Sequence, residues 1–154
     1  MARVVRRFAR RLAQGVDCHL VANGNATNCV TPAQEGRRIL LVDDNRSVLV
    51  TLLLILKQEG YVAEGVASVA AALDYVRQHR PQVVITDINL PDGNGVDLAI
   101  EIHGFAPDTR LLLTSGDSHG TPALELARQR GFNFELICKP VPPPDLLAKI
   151  KALF

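Results

Sequence analysis

A short run of β-branched residues that ends in an acid, from Val83 to Asp87, constrains the fold more than any other stretch. A buried parallel strand is a continuous apolar run bounded by turn signals, and here Pro81 precedes the run while Pro91-Asp92-Gly93 follows it. Asp87 is therefore predicted at the end of a buried strand, at the carboxyl edge of a parallel sheet. In open α/β sheets, ligands bind at that edge.

Four other apolar runs have a similar form, and helical stretches separate them. The strands are predicted at 39–42, 61–66, 83–87, 111–114 and 134–138, and the helices at 46–59, 69–79, 95–104, 121–130 and 145–153. Ser68 is a candidate N-cap of the helix at 69–79. Strands that alternate with helices indicate a parallel sheet with helices on both faces. The helix at 46–59 is apolar nearly all round, so burial within the domain is favoured over docking of a partner on its outer side.

Charge divides the chain into two parts. Residues 1–38 contain seven arginines and two acids, whereas residues 39–154 have a net charge of −4. An acidic compact part is not expected to bind nucleic acid.

No apolar run approaches the roughly 18 residues of a membrane span. Three cysteines without metal spacing indicate reduced thiols in the cytoplasm, and Cys138 is predicted to be packed in the core.

Residues 1–36 are predicted to be a basic, flexible extension, and residues 37–154 to be the folded domain. Five of the arginines alternate with apolar residues over about three helical turns at the start of the chain. A membrane-surface helix, a nucleic-acid arm and a transit peptide remain open as roles for this segment. A frayed extension is favoured, because one short helix is marginal alone.

Polar side chains stand at the ends of four predicted strands. They are Asp43 and Asp44 after the first strand, Asp87 in the third, Ser115 after the fourth and Lys139 after the fifth. Neighbouring strand ends lie about 5 Å apart, so these groups can share a cleft. Each residue alone has an ordinary structural alternative, such as capping the next helix, but their coincidence favours a site. Carboxylates without clustered His or Cys suit Mg²⁺, and together with an amine and a hydroxyl they suit phosphoryl transfer.

Residues 38–154 resemble a response-regulator receiver domain. Four motifs carry the resemblance, in this order: Ile39-Leu40-Leu41-Val42-Asp43-Asp44-Asn45, Asp87 with Pro91 and Gly95, Leu113-Thr114-Ser115-Gly116, and Lys139-Pro140. The resemblance implies an α/β fold of the flavodoxin-like (βα)5 type. That fold is a three-layer sandwich around a parallel five-stranded sheet of order 2-1-3-4-5.

The resemblance also implies a role for each acid. Asp87 would be the phospho-acceptor, a carboxylate nucleophile that forms an aspartyl-phosphate. Asp44 would bind Mg²⁺ directly and Asp43 mainly through water, together with Asp87 and the backbone carbonyl of Asn89. Asn89 and Asp117 would occupy positions that tune hydrolysis of the aspartyl-phosphate.

The remaining site residues follow from the same resemblance. Lys139 would contact a phosphoryl oxygen, and Ser115 would move to hydrogen-bond another after phosphorylation. Ser115 is preferred to Thr114, because the family pattern is a hydroxyl residue followed by Ala or Gly. The Lys139–Pro140 peptide would be cis, at modest cost for an X–Pro bond.

One position departs from the family pattern. Three residues before the lysine, the family usually has Tyr or Phe, which swings inward when the hydroxyl moves; here the residue is Leu136. Phe134 is predicted to lie on the same strand face by period-two alternation, where it would fill some of that volume. The phosphorylation chemistry is expected to persist, whereas the coupling of hydroxyl and aromatic side chain stays open.

The expected function is that of a single-domain response regulator, which is a regulatory phospho-acceptor rather than an enzyme. A histidine kinase or a histidine phosphotransfer protein would phosphorylate Asp87, and altered protein contacts would carry the signal to a downstream partner that the sequence does not identify. Homodimer formation, a phosphorelay intermediate and a receiver cut from a hybrid kinase stay open. A Mg²⁺-dependent phosphatase is disfavoured, because Asn89 stands where such enzymes place a second acid. A pseudo-receiver that only binds partners is the third alternative.

Overall fold

A computed structural model of the chain describes residues 36–116 and 121–154. The elements in these ranges are β1 (Arg38–Val42), α1 (Arg46–Gln58), β2 (Val62–Val66), α2 (Val69–His79), β3 (Val83–Asp87), β4 (Asn89–Leu90), β5 (Gly93–Asn94), α3 (Gly95–Phe105), β6 (Arg110–Ser115), α4 (Pro122–Gln129), β7 (Glu135–Cys138) and α5 (Pro143–Leu153). The predicted N-terminal extension, apart from residue 36, and Asp117 lie outside the described residues. No helix within them has the length and hydropathy needed to cross a membrane.

The main sheet has five parallel strands in the order β2-β1-β3-β6-β7. The two-residue strands β4 and β5 pair only with each other, so the order is 2-1-3-4-5 when they are left out. The predicted flavodoxin-like fold is therefore confirmed. Strand β3 lies in the middle of the sheet and is buried along its whole length, as its continuous apolar sequence requires.

Alternate residues of the strands feed two hydrophobic clusters, one on each face of the sheet. Leu40 and Val84 belong to the cluster that α2, α3 and α4 cover, which we call the α2–α4 cluster. Ile39 and Ile85 belong to the cluster that α1 and α5 cover. These four side chains are no more than 3% exposed, and full burial of each contributes about 1.5–3 kcal/mol.

Local capping residues set the helix boundaries. The Ser68 hydroxyl accepts a hydrogen bond from the Ala71 N–H at 3.3 Å, so the predicted N-cap of α2 is confirmed. Gly60 follows the end of α1 with a φ of +88°, which suits glycine. Helix α5 begins at Pro143, two residues earlier than predicted, because proline is tolerated in a first helical turn.

Helix α1 is exposed on its outer side. Leu49 and Leu56 are buried, but Val50 is 51% exposed and Leu54 is 58% exposed. The helix belongs to an outer layer, and one side of it covers β1 and β2. The prediction that the outer side of α1 is buried within the domain is therefore wrong, and docking of a partner on that side stays open.

Candidate functional site

Lys139 joins two carboxylates at the carboxyl edge of the sheet. Its Nζ donates to Asp43 Oδ2 at 2.7 Å and to Asp87 Oδ2 at 2.6 Å. Asp43 follows β1, Asp87 ends β3 and Lys139 follows β7, so three separate strands deliver these groups to one place. The two carboxylates are buried and the lysine side chain is 26% exposed, which leaves the site open to solvent on one side.

The charge of Lys139 is stabilised by its partners. Partial removal from water lowers the pKa of Lys139, but the hydrogen bonds that its ammonium donates to Asp43 and Asp87 and the negative charges of these carboxylates raise it by more. The net pKa lies above the ordinary value for lysine, so the ammonium keeps its charge at neutral pH.

Asp44 completes a cluster of three acids. Asp43, Asp44 and Asp87 each offer a carboxylate oxygen, and these oxygens all lie within 4.8 Å of one another. Asp44 is exposed. Three carboxylates and one ammonium leave an excess of two negative charges, which matches a divalent cation. Mg²⁺ takes one or two carboxylates and keeps several waters, so a cluster with an exposed member fits it.

Backbone N–H groups orient the acids. Asp43 Oδ1 accepts from the Asn45 N–H at 2.8 Å, and Asp87 Oδ1 accepts from the Asn89 N–H at 3.2 Å. Asp87 therefore has one oxygen on a backbone amide and the other on Lys139. This arrangement holds the carboxylate at the edge of the sheet instead of letting it turn into solvent.

The segment after β3 leads into α3 through a small antiparallel ladder, where the sequence predicts only a turn. Asn89 pairs with Asn94 and Leu90 pairs with Gly93. Gly95, which begins α3, donates its N–H to the Ile88 carbonyl at 2.8 Å. The signal in the sequence was the Pro91-Asp92-Gly93 turn, but a two-residue ladder is too short for periodicity to show.

The two hydroxyl residues at the end of β6 have different surroundings. Ser115 is fully buried, and its carbonyl accepts the Lys139 N–H at 2.7 Å. The Thr114 hydroxyl donates to the Thr86 carbonyl at 3.4 Å. The choice of Ser115 as the phosphoryl-binding hydroxyl stays a prediction. The Lys139–Pro140 peptide bond is cis, as the resemblance implies.

Two expectations for β7 have opposite outcomes. Phe134 and Leu136 are both partly buried against the α2–α4 cluster, so their predicted placement on one face is confirmed. Cys138 is exposed, and its prediction as a packed core thiol is wrong. The reason is its position: Cys138 ends an edge strand, and the described residues place no further strand beyond it.

An apolar cavity of about 640 Å³ adjoins the acids between α1 and the segment that follows β7. Leu49, Leu52 and Val141 line its apolar part, and Asp43 and Lys139 stand at its polar end. The cavity therefore connects Asp43 and Lys139 with one side of α1.

Comparison with known proteins places these features in a family. A family model described as the response regulator receiver domain matches residues 39–151. The DNA-binding response regulator MtrA of Mycobacterium tuberculosis (strain ATCC 25618 / H37Rv) is 31% identical over 116 residues, which are 75% of this chain and 50% of MtrA. The chain thus spans about half the length of the curated relatives it matches.

Solved structures agree with the family model. The receiver domain protein (CheY-like) from Methanospirillum hungatei JF-1 is 32% identical with a TM-score of 0.69, and the match covers 75% of this chain and 91% of that one. The beryllofluoride-activated NtrC4 receiver domain dimer is 28% identical with a TM-score of 0.67, covering 77% and 96%. The chain belongs to the response-regulator receiver domain family of two-component signalling.

Proposed function

We propose that this receiver accepts a phosphoryl group on Asp87 from a phosphohistidine donor, in a Mg²⁺-dependent reaction, and signals through changed protein contacts. The observation that carries the proposal is the contact of Lys139 with both Asp43 and Asp87, at 2.7 and 2.6 Å, beside the third acid Asp44. A carboxylate nucleophile, a neighbouring cation and a divalent metal site are the components that phosphoryl transfer needs.

In the proposed reaction, a carboxylate oxygen of Asp87 attacks phosphorus. The new O–P bond forms as the P–N bond to the donor imidazole breaks, and the imidazole leaves with the electron pair and takes up a proton. The ammonium of Lys139 neutralises negative charge on the phosphoryl oxygens. Asp43, Asp44, Asp87 and the Asn89 carbonyl would hold Mg²⁺, which supplies further positive charge when bound.

After transfer, neighbouring groups would bind the aspartyl-phosphate. Lys139 would bind one phosphoryl oxygen and Ser115 would donate a hydrogen bond to another, while Asn89 and Asp117 would tune hydrolysis. Leu136 has no ring to swing inward, so the change that a partner detects would come chiefly from Ser115 and its loop.

The NtrC4 receiver is described as a dimer in its activated form, which supports pairing of two copies as one output. We infer a cytoplasmic location, where a free thiol such as Cys138 persists.

Incubation with acetyl phosphate and Mg²⁺ is expected to add the mass of one phosphoryl group to the intact chain. Asp87→Asn is expected to abolish the gain, because an amide does not form the acyl phosphate, and chelation of Mg²⁺ is expected to reduce it strongly. Asp74→Asn, on the exposed side of α2, is the matched control and should be phosphorylated like the wild type. A wild type that gains no mass would refute the proposal.

We also infer that the donor docks on the outer side of α1. Val50 and Leu54 are exposed large apolar side chains four residues apart, and the apolar cavity continues from this helix to Lys139. Apolar residues at this spacing suit an amphipathic helix of a phosphotransfer partner. A helix seated there would bring its phosphohistidine towards Asp87.

Leu54→Glu is expected to slow phosphotransfer from a donor protein about tenfold, because truncation or charging of a central contact costs on the order of 1–2 kcal/mol. Phosphorylation by acetyl phosphate, which needs no docking, should be unchanged. Leu126→Glu is the control, since Leu126 is 56% exposed but lies on α4. Equal slowing by both substitutions, or none with Leu54→Glu, would contradict docking on α1.

A further inference from the structure

We propose that Asp92 is a positioning residue that anchors the β4–β5 ladder to the start of α2. The anchored ladder then keeps the backbone in place on the metal-binding side of the phosphorylation site. The inference rests on the proposed function, because it concerns the same Asp87 and the same Mg²⁺ site. Asp92 itself is exposed and lies at the turn between Leu90 and Gly93. Its role would therefore be exerted through backbone that it anchors.

Both oxygens of the Asp92 carboxylate are bound to α2. Oδ1 accepts from the Val69 N–H at 2.8 Å, and Oδ2 accepts from the Ala70 N–H at 3.1 Å. A helix leaves its first N–H groups without partners, and the positive end of its dipole attracts an anion. These N–H groups, that of Val69 first, lower the pKa of Asp92, so the carboxylate is ionised at neutral pH.

The ladder lies close against the same helix end. A Cβ at Gly93 would lie 3.1 Å from Val69 Cγ2, a distance tighter than most real contacts. Leu90 and Val69 are both partly buried against the α2–α4 cluster. The β4–β5 ladder thus already packs on α2, and the Asp92 carboxylate fixes its position relative to the start of that helix.

The other end of the ladder bears directly on the site. The Asn89 N–H donates to Asp87 Oδ1 at 3.2 Å, and the Asn89 carbonyl is the proposed backbone ligand of Mg²⁺. Asn89 pairs across the ladder with Asn94. A ladder of two residue pairs is marginal by itself, so its position depends on its anchors. Release of the turn at Asp92 would allow the backbone of Asn89 to move relative to Asp87.

Capping of α2 is divided between two residues. Ser68, the local N-cap, accepts a hydrogen bond from the Ala71 N–H at 3.3 Å. Asp92, which lies in a loop more than 20 residues away in sequence, accepts hydrogen bonds from the N–H groups of Val69 and Ala70. Ser68 therefore supports the helix alone, and Asp92 supports both the helix and the ladder. This difference supplies a matched control.

The test compares Asp92→Ala, Asp92→Asn and Ser68→Ala in the full chain, with Mg²⁺ titrated by calorimetry in the absence of any phosphodonor. Asp92→Ala is expected to raise the Kd for Mg²⁺ about tenfold, in the range for residues that orient metal ligands. Asp92→Asn keeps one acceptor oxygen and is expected to have an intermediate Kd. Ser68→Ala is expected to stay within about twofold of the wild type, because it leaves the ladder anchored.

Each outcome decides the inference. A raised Kd in Asp92→Ala, or in Asp92→Asn if the alanine variant does not fold, supports it when Ser68→Ala binds Mg²⁺ normally. An unchanged Kd in Asp92→Ala, or in Asp92→Asn if the alanine variant does not fold, overturns it, and so does an equal rise in Ser68→Ala, since loss of helix capping would then be the cause. A wild type that binds Mg²⁺ but takes no phosphate from acetyl phosphate refutes the proposed function alone. A wild type that binds no Mg²⁺ overturns the inference.

Discussion

Gly95→Ala is expected to destabilise the fold by about 3 kcal/mol or more and to abolish phosphorylation of Asp87. A Cβ at this position would lie 2.1 Å from the Asp87 carbonyl oxygen and 3.0 Å from the Ile88 Cα. Overpacking of a well-packed region costs about 1–3 kcal/mol when side chains can shift, and occasionally more. Here the clashing atoms are backbone, so a cost at or above that range is expected.

The backbone around Gly95 has little freedom to yield. The Gly95 N–H donates to the Ile88 carbonyl at 2.8 Å, and the Ile88 N–H donates to the Thr114 carbonyl at 2.9 Å. Relief of the clash would break one of these bonds or shift the end of β3. Because Asp87 is the residue that shifts, its carboxylate would lose its position beside Lys139.

Denaturant unfolding and intact mass after acetyl phosphate treatment check this prediction. Gly104→Ala is the control on the same helix, since a Cβ there meets nothing within 4 Å. It is expected to leave phosphorylation intact and to raise stability by up to about 1 kcal/mol, because alanine is the better helix former. A wild-type unfolding midpoint for Gly95→Ala would contradict the close approach of α3 to β3.

Lys139→Met is expected to cost about 2–4 kcal/mol of stability at neutral pH and to reduce phosphorylation by at least about a hundredfold. Removing one member of a buried ion pair costs about 3–5 kcal/mol, and the 26% exposure of the lysine side chain reduces this somewhat. Asp43 and Asp87 would then face each other without their cation. Loss of one charge-stabilising donor costs about 10²–10³ in the rate of comparable reactions.

The pH dependence follows from the raised pKa of Lys139. In the folded state this pKa lies above the ordinary 10.5, so its stabilising contribution is fully present below about pH 10.5 and is lost as pH rises through the folded-state value. The stability difference between wild type and Lys139→Met should therefore hold from neutral pH to about 10.5 and shrink above it. Added Mg²⁺ should recover part of the lost stability, since the proposed Mg²⁺ site exists only in the folded state.

Unfolding curves at several pH values, with and without Mg²⁺, measure these effects. Lys149→Met is the control, because Lys149 pairs with Glu135 on the exposed surface. Surface pairs are worth about 0–1 kcal/mol, so this variant should remain close to the wild type and be phosphorylated normally. If Lys139→Met unfolded like Lys149→Met, the contact between Lys139 and the acids would not be holding the site together.

The sequence predicted the order of the five main strands and five helices, and the convergence of three acids with Lys139, for a simple reason. Parallel strands all end at one edge, so acids after β1 and in β3 and a lysine after β7 had to converge once the runs were identified as strands. The N-cap at Ser68 and the shared face of Phe134 and Leu136 are likewise local, since a cap depends on the next three residues and a face depends on alternation.

Only the tertiary structure determines which elements cover each face of a helix or a strand. Helical periodicity shows that α1 is apolar, but only the layer arrangement leaves Val50 and Leu54 exposed. Alternation places Cys138 on a face of β7, but only its position on the edge strand leaves it exposed.

The same holds for contacts between distant segments. The hydrogen bond between Asp92 and Val69 and the close approach of Gly95 to the Asp87 carbonyl join elements whose separation depends on how helices pack on the sheet. Neighbouring residues determine the conformation of a segment and the side that is apolar, because those preferences act over a few bonds. Which groups finally touch is determined by packing of the whole domain, and no local pattern in the sequence carries that information.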